Sequence, residues 1–145
     1  MAITPEQHAL AVHRYQRAQE TLLEAADELA RKHFRLAVNR AYYAVFYAMR
    51  AFLALANKDS SKHSGVISLF NQCFIKQGVV TEISFKAIQL LLDLRHEADY
   101  QDFAETSQEE ASAAVDSAGK IIEDLKKSFE ALINESDLSA TAISK

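Results

Sequence analysis

The chain has 145 residues, of which 49% are hydrophobic and 25% charged, and its formal net charge is -4. With only 3 Gly and 1 Pro it has few helix-breaking residues, so long helices are favoured over a β-sandwich or a barrel. No apolar run reaches the roughly 18 residues that span a membrane, the start of the chain lacks a signal-peptide pattern, and the single Cys73 excludes an internal disulfide. These features predict a cytoplasmic protein.

Charge is distributed unevenly along the chain. Between Glu28 and Glu82 there are eight Lys or Arg residues and one acid, Asp59, so this block carries +7 and the remainder carries -11. Such a block can present a positive face to an anionic partner. Alternatively, the basic and acidic helices pair with each other.

The first two helices are predicted from capping residues and periodicity. Thr4, Pro5 and Gln7 form a compact helix start, with Thr4 and Gln7 as a capping box, and apolar residues then recur every three or four positions to about residue 30. A second helix is predicted from about residue 32 to 56. Its segment 41–48 is apolar or aromatic nearly all round, which is typical of a helix at the centre of a bundle or at a dimer seam.

Three further helices follow a polar loop at residues 57–65. We expect a short helix at about 65–77 and a fourth helix that starts after Thr81. The last helix is predicted to end at residue 133, and its capping box is either Thr106 with Glu109 or Ser107 with Glu110.

The predicted fold is all-α, an antiparallel up-down bundle of four long helices plus one short helix. Residues 1–133 form its single domain, and residues 134–145 are predicted to be a frayed tail.

Reactive groups are concentrated at the end of the fourth helix, in Arg95-His96-Glu97-Ala98-Asp99-Tyr100. Arg95 and Asp99 are four residues apart, so they share a helix face and can form an ion pair that fixes the helix end. In a functional interpretation, Arg95 clamps a phosphate while His96 or Tyr100 transfers a proton. Both interpretations remain open from the residues alone.

A second polar cluster is Lys62-His63-Ser64, at the start of the short helix. A histidine in this position can bind an anion or act as an acid–base group, or it can simply be solvated. The five histidines have no spacing typical of a metal site, and the chain has no Gly-rich phosphate loop. We therefore predict no metal and no other cofactor, and we exclude a P-loop or dinucleotide-binding fold.

Three segments resemble the HEPN domain family (higher eukaryotes and prokaryotes nucleotide-binding). They are Arg40-Ala41-Tyr42-Tyr43-Ala44-Val45-Phe46-Tyr47-Ala48-Met49-Arg50, Lys62-His63-Ser64-Gly65-Val66-Ile67-Ser68-Leu69-Phe70 and Leu94-Arg95-His96-Glu97-Ala98-Asp99-Tyr100. The resemblance implies a helical bundle that forms a homodimer. Many family members are metal-independent ribonucleases, and some are toxins paired with a minimal nucleotidyltransferase antitoxin.

The resemblance also assigns site residues. Arg95 matches the catalytic Arg of the family and His96 the polar residue after it, but Tyr100 stands where the family has a distal His. We therefore predict a nucleotide- or RNA-binding module with a minimal nucleotidyltransferase partner, for which the binding residues are Arg40, Lys62, His63 and Asp99. One alternative is a metal-independent ribonuclease that uses Arg95 with His96 or Tyr100. The other is a non-catalytic interaction protein.

Overall fold

The chain folds into five α-helices in the computed structural model. The structure describes residues 3–100 and 105–143, without the side chains of residues 82–84, 100 and 136–143. The helices are α1 (Pro5–Ala30), α2 (Phe34–Leu55), α3 (His63–Phe70), α4 (Glu82–Tyr100) and α5 (Gln108–Ile143). No strand occurs in these ranges, and the predicted all-α fold is confirmed.

The start of α1 has the predicted capping box. The Gln7 backbone N–H donates to Thr4 Oγ1 at 3.1 Å, and the Thr4 N–H donates to Gln7 Oε1 at 2.9 Å. These bonds satisfy two of the N–H groups that a helix start leaves unpaired. Beyond the end of α1, Lys32 adopts a left-handed φ of 65°, which turns the chain so that α2 packs back along α1.

Helix α2 is the centre of the bundle and packs against all four other helices. This arrangement explains why its sequence is apolar on nearly every side. The small residues Ala41, Ala44 and Ala48 are fully buried within the single chain, where they allow close helix approach. Further along, the buried Phe52 ring lies 5.4 Å from the Phe70 ring and 5.5 Å from the Phe129 ring, centroid to centroid. The predicted core role of α2 is confirmed.

Helix α3 begins at His63, two residues before its predicted start at Gly65. The preceding loop folds back onto the helix, and Ser60 lies against Gly65. A Cβ added at Gly65 would be only 2.8 Å from Ser60 Cβ. Only glycine therefore lets the Ser60 side chain approach this closely. After Phe70 the chain continues into one π-helical turn, Asn71–Ile75, rather than extending the α-helix.

At α5 the structure selects one of the two predicted capping boxes. The Glu110 N–H donates to Ser107 Oγ at 3.1 Å, and the Ser107 N–H donates to Glu110 Oε1 at 3.3 Å. The helix extends to Ile143, past the predicted end at residue 133, and residues 134–143 contain no Gly or Pro that would stop it. Among the helices described, none is long and apolar enough to cross a membrane.

Candidate functional site

Side chains from α2, α3 and α4 meet beside the last turns of α4. We call this group the Arg95–His63 cluster; it comprises Asn39, Tyr42, Tyr43, Phe46, His63, Arg95 and Asp99. Its four α2 residues are spaced at three or four positions, so they share one face of that helix. The cluster is therefore built across three elements that lie far apart in the sequence.

Arg95 is held by polar and aromatic contacts. Its Nε donates to Asp99 Oδ2 at 2.9 Å and its Nη2 donates to the Tyr43 hydroxyl at 3.2 Å. The guanidinium carbon lies 5.0 Å from the Tyr42 ring centroid and 5.4 Å from that of Tyr43, within cation–π range. The predicted Arg95–Asp99 pair is confirmed, and these contacts also tie α4 to α2.

A polar chain extends from Asp99 to Arg40. Asn39 Nδ2 donates to Asp99 Oδ2 at 3.1 Å, and Asn39 Oδ1 accepts from Arg40 Nη2 at 2.8 Å. The Arg40 guanidinium also lies 5.3 Å from the Tyr43 ring centroid. Arg40 Nη1 also lies 4.0 Å from Glu24 Oε2, so each arginine in this part of the cluster has a carboxylate partner, Glu24 for Arg40 and Asp99 for Arg95.

His63 lies against the aromatic side of the cluster. Its Nδ1 is 3.2 Å from the Tyr42 hydroxyl oxygen, and its ring centroid is 4.4 Å from that of Phe46. Burial lowers the pKa of His63 below its ordinary value, and the positive charge of Arg95 lowers it further. At neutral pH the imidazole is therefore uncharged.

The lowered pKa of His63 predicts a loss of stability in acid. Below the ordinary value of 6.5, the unfolded chain binds a proton at His63 that the folded chain does not yet bind. The free energy of unfolding should therefore fall as the pH drops below this value, and the loss ends once the pH is below the folded pKa. In urea unfolding at pH 7.5 and pH 5.5, His63→Gln should lose less stability between the two pH values than the wild type. An equal loss in both proteins contradicts the prediction.

A cleft opens beside His63 on the side away from the core. Its volume is about 520 Å³, which is in the range of small-molecule sites. The residues that line it are Phe46, Arg50, Asp59, Ser60, Ser61 and His63. His63 and Phe46 belong both to this wall and to the Arg95–His63 cluster, so the two features are contiguous.

The sequence matches the family model of the HEPN domain over residues 11–128. The chain belongs to the HEPN domain family. A UPF0332 protein of Thermotoga maritima is 36% identical over 118 residues, which are 77% of this chain and 89% of that protein. A Methanocaldococcus jannaschii protein named as a candidate toxin is 34% identical over 116 residues, 80% of this chain and 86% of its own length. A second protein of that organism with the same description is 37% identical over 93 residues, 63% of each chain.

Four of the predicted site residues of this HEPN domain lie together. Arg95, Asp99 and His63 belong to the cluster, and Arg40 joins its outer edge. Lys62 is exposed immediately before α3, and His96 is exposed on α4. The Tyr100 side chain lies outside the described residues, so the roles proposed for Tyr100 and His96 stay predictions.

Sequence reasoning missed the polar and aromatic partners on α2. The sequence predicts that Tyr42, Tyr43 and Phe46 pack in the bundle or at a dimer seam, and it does not single out Asn39. Their spacing from Asn39 to Phe46 was the available signal, because it places them on one helix face. In the part of the chain that the structure describes, no group of three or more His, Cys, Asp or Glu residues could hold a metal ion.

Proposed function

We propose that this HEPN domain binds a nucleotide or single-stranded RNA through the Arg95–His63 cluster and the adjoining cleft. The observation that carries the proposal is the position of His63, which lines a cleft of about 520 Å³ and contacts Tyr42, the residue whose ring the Arg95 guanidinium covers. Cations beside the partly exposed Tyr43 and His63 rings suit a ligand in which a phosphate adjoins a base, because the base can stack while the phosphate pairs with the cation. Arg40 and Lys62 supply further positive charge at the edges of the site.

The wider role that we propose is a toxin-like module acting in the cytoplasm as a homodimer, with a minimal nucleotidyltransferase as its partner. The relatives named as candidate toxins support this role. Co-purification with a co-expressed minimal nucleotidyltransferase tests the partner, and light scattering tests the dimer.

A second function, a metal-independent ribonuclease, depends on which nitrogen of His63 carries the proton in its contact with Tyr42. If the Tyr42 hydroxyl donates to Nδ1, the neutral ring carries its proton on Nε2 and can only donate to a ligand oxygen there. If Nδ1–H donates to Tyr42, Nε2 is unprotonated and can accept a proton from a ribose 2′-hydroxyl. The first tautomer suits binding. The second suits a metal-independent ribonuclease in which His63, rather than His96 or Tyr100, is the base and Arg95 stabilises the phosphate.

Fluorescence anisotropy in EDTA tests the binding function. A labelled single-stranded RNA of about ten nucleotides should bind at least about tenfold more tightly than a duplex of the same length, because paired bases cannot stack on protein rings. A denaturing gel of the same mixtures tests the ribonuclease. Cleavage that His63→Gln abolishes while RNA binding persists establishes the second function. If the protein binds neither RNA nor mononucleotides, the proposal is overturned.

A further inference from the structure

We propose that Arg50 forms a second phosphate-binding site at the cleft, and that the Asp59 carboxylate occupies this site until a ligand displaces it. The inference rests on the proposed function, because it assigns the contact for a phosphate next to the base held near His63. It involves a different arginine and a different loop from the Arg95–His63 cluster, so it can be tested separately.

Two guanidinium groups compete for one carboxylate at this site. Arg50 Nη2 lies 3.2 Å from Asp59 Oδ2, and Arg14 Nη2 lies 3.8 Å from the same oxygen. Burial lowers the pKa of Arg14 and the charge of Arg50 lowers it further, while the Asp59 carboxylate, which the two arginines share, raises it. In addition, Arg50 Nε is buried and has no hydrogen-bond acceptor among the residues described. The site therefore has spare positive charge and an unused donor.

Asp59 is a partly exposed occupant of the site. Its side chain is 52% exposed, so water screens its attraction to the two arginines. It lies in the loop between α2 and α3, where its Oδ1 accepts the Ser60 N–H at 2.8 Å. A phosphate has more charge and more acceptor oxygens than one carboxylate, and it can bind a guanidinium through two parallel hydrogen bonds. A phosphate can therefore replace Asp59 at Arg50.

The surroundings indicate a nucleotide phosphate rather than an isolated anion. Phe46 and Arg50 are four residues apart on α2, and both line the cleft with His63. The Ser60 and Ser61 side chains also line the cleft, and their hydroxyls can donate to sugar or phosphate oxygens. The ligand class that fits is a nucleoside phosphate or an RNA phosphodiester with an unpaired base.

The test measures two probes with paired variants. Isothermal titration calorimetry follows inorganic pyrophosphate, and fluorescence anisotropy follows the single-stranded RNA. Arg50→Gln should weaken both by at least about tenfold, because it removes a charge-assisted contact. Asp59→Asn should tighten both about threefold or more, since it removes the competing charge and keeps the side-chain shape.

The matched controls are Arg31→Gln and Asp27→Asn. These residues form another exposed Arg–Asp pair, 3.4 Å apart near the end of α1, and their replacement changes the net charge equally. Neither control should change binding of either probe more than about twofold. Thermal unfolding checks that each variant is folded, and Arg50→Met, which also removes the charge, replaces Arg50→Gln if the latter does not fold.

Each outcome decides the inference. Opposite responses to Arg50→Gln and Asp59→Asn, absent in the controls, support it. Unchanged binding in Arg50→Gln, weaker binding in Asp59→Asn, or equal effects in the controls overturn it. If pyrophosphate shows the opposite responses while the wild type binds neither RNA nor mononucleotides, this site stands and the proposed function fails. If RNA binding responds to neither variant, the proposed function stands and the Arg50 site is contradicted.

Discussion

Arg95→Gln should weaken binding of single-stranded RNA at least about tenfold, because it removes the cation that we place against the phosphate. The same change should lower the free energy of unfolding by about 2 kcal/mol, since it leaves the Asp99 carboxylate without its charged partner. The two side chains are only 11% and 19% exposed, so solvent screens their ion pair little. Anisotropy and urea unfolding measure the two effects separately.

Asp99→Asn is the matched control for Arg95→Gln. It breaks the same ion pair, but it keeps the Arg95 cation and a side chain able to hydrogen bond with Asn39. We expect a loss of stability with RNA affinity retained within about threefold. If both variants lose affinity equally, Arg95 acts by holding α4 in place, and its contact with phosphate is contradicted.

Phe52→Ala should cause the largest loss of stability, about 3–5 kcal/mol. Phe52 is fully buried on α2, and its ring contacts those of Phe70, Phe74 and Phe129, which belong to α3, the π-helical turn and α5. Removing the ring leaves a cavity that neighbouring helices cannot fill without moving. Differential scanning calorimetry should show a fall in Tm of about 10 °C or more.

The exposed Leu23 provides the control for this core substitution. Its side chain is 71% exposed on α1, so Leu23→Ala removes apolar carbons without creating a cavity. The free energy of unfolding should change by less than about 0.5 kcal/mol. A loss for Phe52→Ala as small as that of Leu23→Ala contradicts the central position of α2.

Local patterns predicted the helices well because helix formation depends on near neighbours. The Thr4 capping box and the Arg95–Asp99 pair both involve residues within four positions of one another. Where two local solutions were equivalent, the sequence left both open. Thr106 and Ser107 have the same capping spacing, and the hydrogen bonds between Ser107 and Glu110 show which of the two boxes forms.

The candidate site could not be assembled from the sequence alone, because its residues meet through long-range contacts. Asn39 and Asp99 are separated by 60 positions, and Tyr42 and His63 by 21. Their meeting depends on how α3 and α4 pack against α2, which no periodicity of a single helix specifies. For the same reason Arg14 and Asp59, on α1 and in the α2–α3 loop, gave no sign in the sequence that they share a site.

The sequence by itself therefore determined the helices, the central place of α2 and the Arg95–Asp99 pair, because each depends on residues close together in the chain. The tertiary structure alone decided that His63 and Arg95 both lie against Tyr42, and that Arg50 pairs with Asp59 in the wall of the cleft. These contacts arise from the packing of separate helices, whose buried apolar faces hold the polar groups in place.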